Sequence, residues 1–250
     1  MKKILVPSLI ALAVSSLASV AQAQTAPEST LSFNAGVVSD YRYRGISQSR
    51  FDPALQGGVD YADKSGFYVG AWGSTIKWIK DTPGVTAGST ELDLYGGYKG
   101  TAGDFAYDMG FLRYEYSGNK LSANPSYVNA NTNEVYGAVT YGLFTAKYSH
   151  AISNIFGNSN SKNSYYVDLS ATLDLGDGYS LVPHIGYQKI KNWDAGSYTD
   201  YALTLAKDLG NGLSATAAVI GTDAKDGSYV SPAGKQLGKS GVVVGLKYAF

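Results

Sequence analysis

The chain has 250 residues, 44% hydrophobic and only 16% charged, with 30 Gly, 21 Tyr, two His and no Cys. Lys plus Arg and Asp plus Glu each number 20, so no basic field exists to hold nucleic acid. The lack of cysteine excludes a disulfide framework, a thiol nucleophile and Cys-ligated metal centres, two histidines leave little for a His-rich site, and no cofactor is expected.

The first segment reads as a secretory signal peptide over residues 1–23. Met1-Lys2-Lys3 is basic, Ile4 to Val20 is largely apolar, and Ala21-Gln22-Ala23 is a small-x-small cleavage site. An uncleaved anchor fits less well, because the apolar run is short and contains Pro7. Loss of Lys2 and Lys3 leaves 18 basic against 20 acidic residues, a formal charge of −2 on residues 24–250. No second apolar run reaches the roughly 20 residues of a membrane helix. An exported chain of this kind is either soluble or a β-barrel.

From residue 31 onward the hydrophobic period is two, which predicts strands. The alternating sets are Leu31-Phe33-Ala35-Val37, Phe67-Val69-Ala71, Leu92-Leu94, Phe105-Tyr107-Met109-Phe111, Tyr165 to Leu175, Leu213-Ala215-Ala217-Val219 and Val242-Val244-Leu246-Tyr248-Phe250. The opposite face is polar, as in Tyr166, Asp168, Ser170, Thr172 and Asp174. Glycine-rich short links at Ala62 to Gly66, Gly100 to Asp104, Gly142, Gly176 to Gly178 and Leu209 to Gly212 alternate with longer polar links. The longer links are Ser47 to Pro53, Lys80 to Thr90, Gly118 to Asn133, Ser153 to Ser164, Lys191 to Ser197 and Thr222 to Ser240. This alternation predicts an all-β, transmembrane antiparallel barrel of about twelve strands, with short periplasmic turns and long extracellular loops.

Aromatic residues flank many of the runs: Tyr41, Tyr43, Trp78, Tyr95, Tyr98, Tyr114, Tyr116, Tyr141, Tyr148, Tyr179, Tyr187, Trp193 and Tyr201. They suit interfacial girdles, although tyrosine is also a good strand residue in any sheet. Val242, Val244, Leu246, Tyr248 and Phe250 share one face and form the pattern of an outer-membrane assembly signal. The expected partners are therefore outer-membrane lipid and the assembly machinery that inserts barrels.

Specific motifs strengthen this reading. Tyr43-Arg44-Gly45-Ile46-Ser47-Gln48-Ser49, Pro53 to Tyr61, Gly66 to Trp72, Glu91 to Tyr98, Gly103-Asp104-Phe105 and Asn133 to Gly137 resemble the TorF-type porin family. The similarity spans nearly all of residues 24–250 and is densest from Tyr41 to Gly110. It implies a Gram-negative outer-membrane location and diffusion of small solutes, and it carries over no defined substrate or catalytic residue.

If Phe67, Val69, Ala71, Leu92, Leu94, Leu169 and Val219 face lipid, the opposite parity points Gln56, Asp60, Glu91, Asp93, Asp108, Asp168, Asp174, His184 and Lys247 inward. Charges on the lipid face would cost roughly 2–4 kcal/mol at the midplane. Arg42 and Arg44 are expected to face Asp60, Glu91 and Asp93 across a narrow lumen, where they either line a selective pore or plug it as mutually satisfied pairs. Arg113 and Glu115 break the parity, which places them at the rim or requires a bulge.

Enzymatic readings are weaker. His150 and His184 are the only candidate bases for a lipid-acting Ser–His pair, and Glu91 with Asp93 has the i, i+2 spacing of any wet barrel wall. The sequence thus predicts a porin-like channel for small polar solutes or ions, with no catalytic and no metal site. A closed structural or adhesive barrel whose loops bind a partner is the alternative, and oligomeric state is left open.

Overall fold

Strict two-residue alternation gives each segment an apolar face and a polar face, which only a sheet can present to two different surroundings at once. The computed structural model describes residues 29–250; the signal peptide expected over 1–23 lies outside them. Twelve antiparallel strands form a closed barrel: β1 (Ser29–Val38), β2 (Ala54–Asp63), β3 (Phe67–Thr75), β4 (Thr90–Ala102), β5 (Phe105–Ser117) and β6 (Thr132–Tyr141). The second half is β7 (Phe144–Ala151), β8 (Tyr165–Ala171, resuming after Thr172 as Leu173–Gly176), β9 (Tyr179–Lys189), β10 (Tyr198–Gly210), β11 (Leu213–Thr222) and β12 (Gly241–Ala249). Neighbours pair in chain order, and β1 pairs with β12 from Asn34 opposite Ala249 to Val38 opposite Gly245. That seam leaves no free sheet edge.

The loop lengths segregate by end. Five links of two or three residues occupy one rim, and residues 39–53, 76–89, 118–131, 152–164, 190–197 and 223–240 form six long loops at the other. Two of the tight turns share one design. Asp174-Leu175-Gly176-Asp177-Gly178 and Asp208-Leu209-Gly210-Asn211-Gly212 each place the last three residues at positive φ, and the aspartate Oδ1 accepts the N–H of the first glycine at 2.9 and 2.8 Å. Both show a register shift at that glycine, a bulge followed by a two-residue turn whose twist matches the strands.

The outer surface is apolar, with Phe67, Val69, Leu92, Leu94, Leu169 and Val219 all exposed. Aromatic rings border it on both sides. Near the short turns Phe105 meets Tyr141 at 4.9 Å, Phe67 meets Tyr98 at 5.0 Å, and Phe250 meets Phe33 and Tyr248 at 5.8 and 5.4 Å. Near the long loops Tyr148, Tyr165 and Tyr187 form a row spaced 5.8 and 6.4 Å.

Only part of the expected girdle belongs to these rings. Tyr41, Tyr95, Tyr114 and Tyr116 are buried inside the barrel, and Tyr43 and Trp78 pack against the same core. Tyrosine serves either role, since its ring is apolar and its hydroxyl needs a wet or hydrogen-bonding neighbour. The parity break at Arg113 and Glu115 is a rim feature and not a bulge. β5 pairs with β4 and β6 without a register shift, and the two side chains lie partly exposed on the outside, bonded to each other.

Inside, large rings lie against glycines of adjacent strands. A Cβ on Gly97 would come 2.6 Å from Tyr68 Oη, and one on Gly186 would come 2.0 Å from Tyr166 Oη. Glycine at these positions lets the phenols lie flat against the wall.

Candidate functional site

The first long loop does not stay at the rim. Arg42–Tyr43 and Ile46–Ser47 pair as a small hairpin, Arg42 opposite Ser47 and Tyr43 opposite Ile46. Its turn puts Arg44 at φ +47° and Gly45 at φ +78°, the left-handed pair that a tight two-residue hairpin requires. Gly45 is also the point of closest approach, since a Cβ there would meet Thr222 Cγ2 at 2.5 Å and Asp200 Cβ at 2.8 Å. Asp40, Tyr41, Arg42, Ile46, Ser47 and Ser49 are all buried, so this segment occupies the interior of the long-loop half.

Hydrogen bonds fix the base of the hairpin. Asp40 Oδ1 accepts from Ser47 Oγ at 2.5 Å and Ser49 Oγ at 3.0 Å, and its Oδ2 is bonded to Arg42 Nε. Arg42 also donates to the carbonyls of Gly45, Leu237 and Lys239 at 2.9, 3.1 and 3.0 Å, tying the hairpin to the last long loop. On the other side Tyr41 Oη donates to Glu91 Oε1 at 3.0 Å and its ring packs edge-on against Trp72.

The tip reaches the far wall. Arg44 pairs with Glu134 of β6 at 2.7 Å and with Gln188 Oε1 of β9, and its guanidinium lies over the rings of Tyr43 and Tyr166 at 4.8 and 4.3 Å. Both side chains of the ion pair are nearly sealed from solvent, 7% and 1% exposed. Such a pair needs well-formed hydrogen bonds to offset the loss of hydration; Tyr114 Oη supplies one more to Glu134 at 3.2 Å.

Two cavities flank the hairpin. The inner one, about 210 Å³, is bounded by Arg42, Arg44, Lys147, Asp40, Asp168, Asp200 and His184, with threonines and small apolar residues of β10 and β11 between them. Three fixed cations and three carboxylates line it, and Glu134, paired with Arg44, adds a fourth carboxylate beside it. His184 Nε2 lies 3.1 Å from Asp168, 3.3 Å from Asp200 and 3.1 Å from Tyr166 Oη, which itself donates to Asp200 at 2.9 Å. The outer cavity, about 410 Å³, opens among the long loops with Tyr43 and Ile46 of the hairpin at its floor.

The remaining sequence-selected residues divide by height. Asp60 accepts from Tyr95 Oη at 2.6 Å and Asp108 from Tyr68 Oη at 2.5 Å, with Lys99 Nζ 4.0 Å from Asp108. Lys247 is half-buried and lies between exposed Leu246 and Tyr248 in β12. Val242, Val244, Leu246, Tyr248 and Phe250 are all exposed on the outer surface.

Three expectations are corrected. Arg42 and Arg44 do not face Asp60, Glu91 and Asp93; they pair with Asp40 and Glu134, because they sit on the inserted hairpin and not on a wall strand. Glu91 and Asp93 point inward but are sealed behind Tyr41. Asp174 is exposed at a short turn, where it caps Gly176. Sequence reasoning missed Asp40, Glu134, Lys147 and Asp200. An Arg-Gly pair between polar and aromatic residues, the signature of a left-handed two-residue turn, was the signal that could have found the hairpin.

A closed twelve-stranded antiparallel barrel with an apolar belt, two aromatic girdles and a polar interior is the fold of the outer-membrane porins. A solved structure described as "KdgM porin in complex with disordered oligogalacturonate" superposes at a TM-score of 0.54 with 10% identity, over 89% of this chain and 99% of that chain. The KdgM porin alone gives a TM-score of 0.53 at 10% identity over the same shares. The chain belongs to the family described as "Bacterial protein of unknown function (Gcw_chp)", which matches residues 22–250. No curated protein sequence matches it.

Proposed function

We propose that this protein is a narrow, passive channel for small polar solutes or ions in the Gram-negative outer membrane. In this reading the segment 1–23 directs export, the assembly machinery recognises the outward face ending at Phe250, and the short turns face the periplasm. The finer assignment to TorF-type porins rests on the motif resemblance of Tyr43 to Ser49 and Glu91 to Tyr98.

One observation carries the proposal: a polar, charged cavity of about 210 Å³ persists beside the hairpin inside a closed barrel. With Glu134 beside Arg44 counted, three fixed cations face four carboxylates around this cavity, a small negative excess that predicts a weak preference for cations. The constriction limits passage to small solutes. The barrel's fold is shared with KdgM, a porin described in complex with disordered oligogalacturonate; the excess of carboxylates here argues against binding of a polyanion.

Planar-bilayer recording of the refolded barrel tests this. Small, reproducible conductance steps with a reversal potential displaced slightly toward that of the cation in a salt gradient support a weakly selective channel. Silence from protein verified as folded overturns it in favour of a closed barrel whose loops bind a partner, a reading that the hairpin's attachments to β6 and to the last long loop support.

A further inference from the structure

The outer cavity has features that a solute path does not require. All six long loops contribute to it, so its shape is assembled from segments far apart in the chain. Its lining is rich in aromatic rings, among them Trp78, Tyr116, Tyr127, Phe156, Trp193 and Tyr229. Amide and hydroxyl groups of Gln48, Asn158 and Ser231 are interspersed with them. The charge pattern is equally informative. The only charged residues among its lining are Arg50 and Asp81, and they neutralise each other at 3.3 Å.

Each property narrows the ligand. An anion would need an unpaired cation, and the lining's arginine is already engaged. Gln48 and Asn158 each donate one amide N–H to a backbone carbonyl, at 3.0 and 3.1 Å, and a wholly apolar ligand would strip water from their remaining N–H and C=O groups without replacing those hydrogen bonds. A molecule that presents flat C–H faces to aromatic rings and hydroxyls to amides satisfies both requirements, and that is the chemistry of an uncharged pyranose. At about 410 Å³ the volume falls in the range of small-molecule sites and admits a mono- or disaccharide.

We infer that the loop vestibule above the hairpin is a binding site for neutral saccharides. The site is closed below by Tyr43 and Ile46 and walled by rings whose positions are fixed by neighbours: Trp78 packs edge-on against Tyr116, and Trp193 lies 5.6 Å from Tyr229. Tyr229 is held in turn by its hydroxyl donating to Gly196 O at 2.6 Å. Binding here does not depend on whether the lumen conducts.

Intrinsic fluorescence reads the site directly, because two of the three tryptophans, Trp78 and Trp193, line it. Refolded protein of unaltered loop sequence is titrated with maltose, cellobiose and digalacturonate up to about 100 mM, a range that captures the weakest specific affinities. Saturable change with a neutral disaccharide, weakened about tenfold by Trp193→Ala and by Tyr127→Ala, supports the inference. Tyr127 is more than a third exposed, so its truncation leaves a folded barrel even if Trp193→Ala does not. No saturable change with either neutral sugar overturns the inference, and so does saturation with digalacturonate alone. Saturation that Tyr127→Ala and a folded Trp193→Ala both leave untouched overturns the placement of the site.

Discussion

Replacing Arg44 with alanine should loosen the hairpin and widen the channel. Arg44 and Glu134 lie 2.7 Å apart with 7% and 1% of their side chains exposed, and Gln188 and the rings of Tyr43 and Tyr166 complete the arginine's surroundings. Removing one member of a buried pair leaves the other charge uncompensated, at about 3–5 kcal/mol. At roughly 1.4 kcal/mol per tenfold, the equilibrium between docked and released hairpin shifts by about 10² to 10⁴ toward release. Release hydrates Glu134, so the released state escapes that penalty. Single-channel recording should show larger conductance steps, and protease should cut within residues 39–53. Arg44→Ala combined with Glu134→Gln removes the orphan charge and should recover most of the wild-type conductance, a non-additivity expected of contacting residues. Wild-type conductance and protection in Arg44→Ala, or a double variant indistinguishable from the single, would refute the claim that this ion pair holds the hairpin.

Gly45→Val should produce the same enlarged conductance by steric means, because a side chain at φ +78° collides with Thr222 and Asp200; unchanged protease protection of residues 39–53 would argue against this. Leu94→Lys, on the outer face near the middle of β4, should cost roughly 2–4 kcal/mol in equilibrium refolding into lipid vesicles. Ser170→Asn, a polar change on the opposite face that lines the inner cavity, should cost clearly less, and equal losses would contradict the assignment of faces. Deleting Phe250 removes two seam hydrogen bonds with Phe33, 2.8 and 3.0 Å long, worth about 1–3 kcal/mol together, along with its ring stacking. The yield of heat-modifiable barrel should fall, and an unchanged yield would show that neither the seam contact nor an assembly signal depends on this residue.

The wall of the barrel was legible because lipid and water impose opposite demands on alternate residues. Leu31, Phe33 and Val37, or Val242 to Phe250, carry that alternation without a break, and the short links carry turn glycines that admit little else. Residues 39–53 were less legible. Tyr41-Arg42-Tyr43-Arg44 alternates just as a wall strand would, and nothing local reveals that its aromatic rings pack on Trp72 and Phe156 and not at a membrane interface. The partners Glu134 and Asp200 come from distant strands, and their pairing depends on barrel closure, whereas Asp40 lies only two residues from Arg42. Glu91 and Asp93 were placed on the correct face, yet whether a wall carboxylate meets open lumen or packed loop is decided by tertiary structure alone.

The inserted hairpin also has a mechanical consequence. It starts and ends at adjacent strands, β1 and β2, and its tip is fastened to β6 and β9, so it spans the ring as a chord. A cylinder with a chord resists flattening in the plane of that chord. Lateral pressure on the long-loop half therefore meets a braced cross-section, while the short-turn half deforms only as far as the flat-lying ring of Tyr68 slides over Gly97. Changes in bilayer thickness or tension would thus alter the bore at the short-turn mouth first.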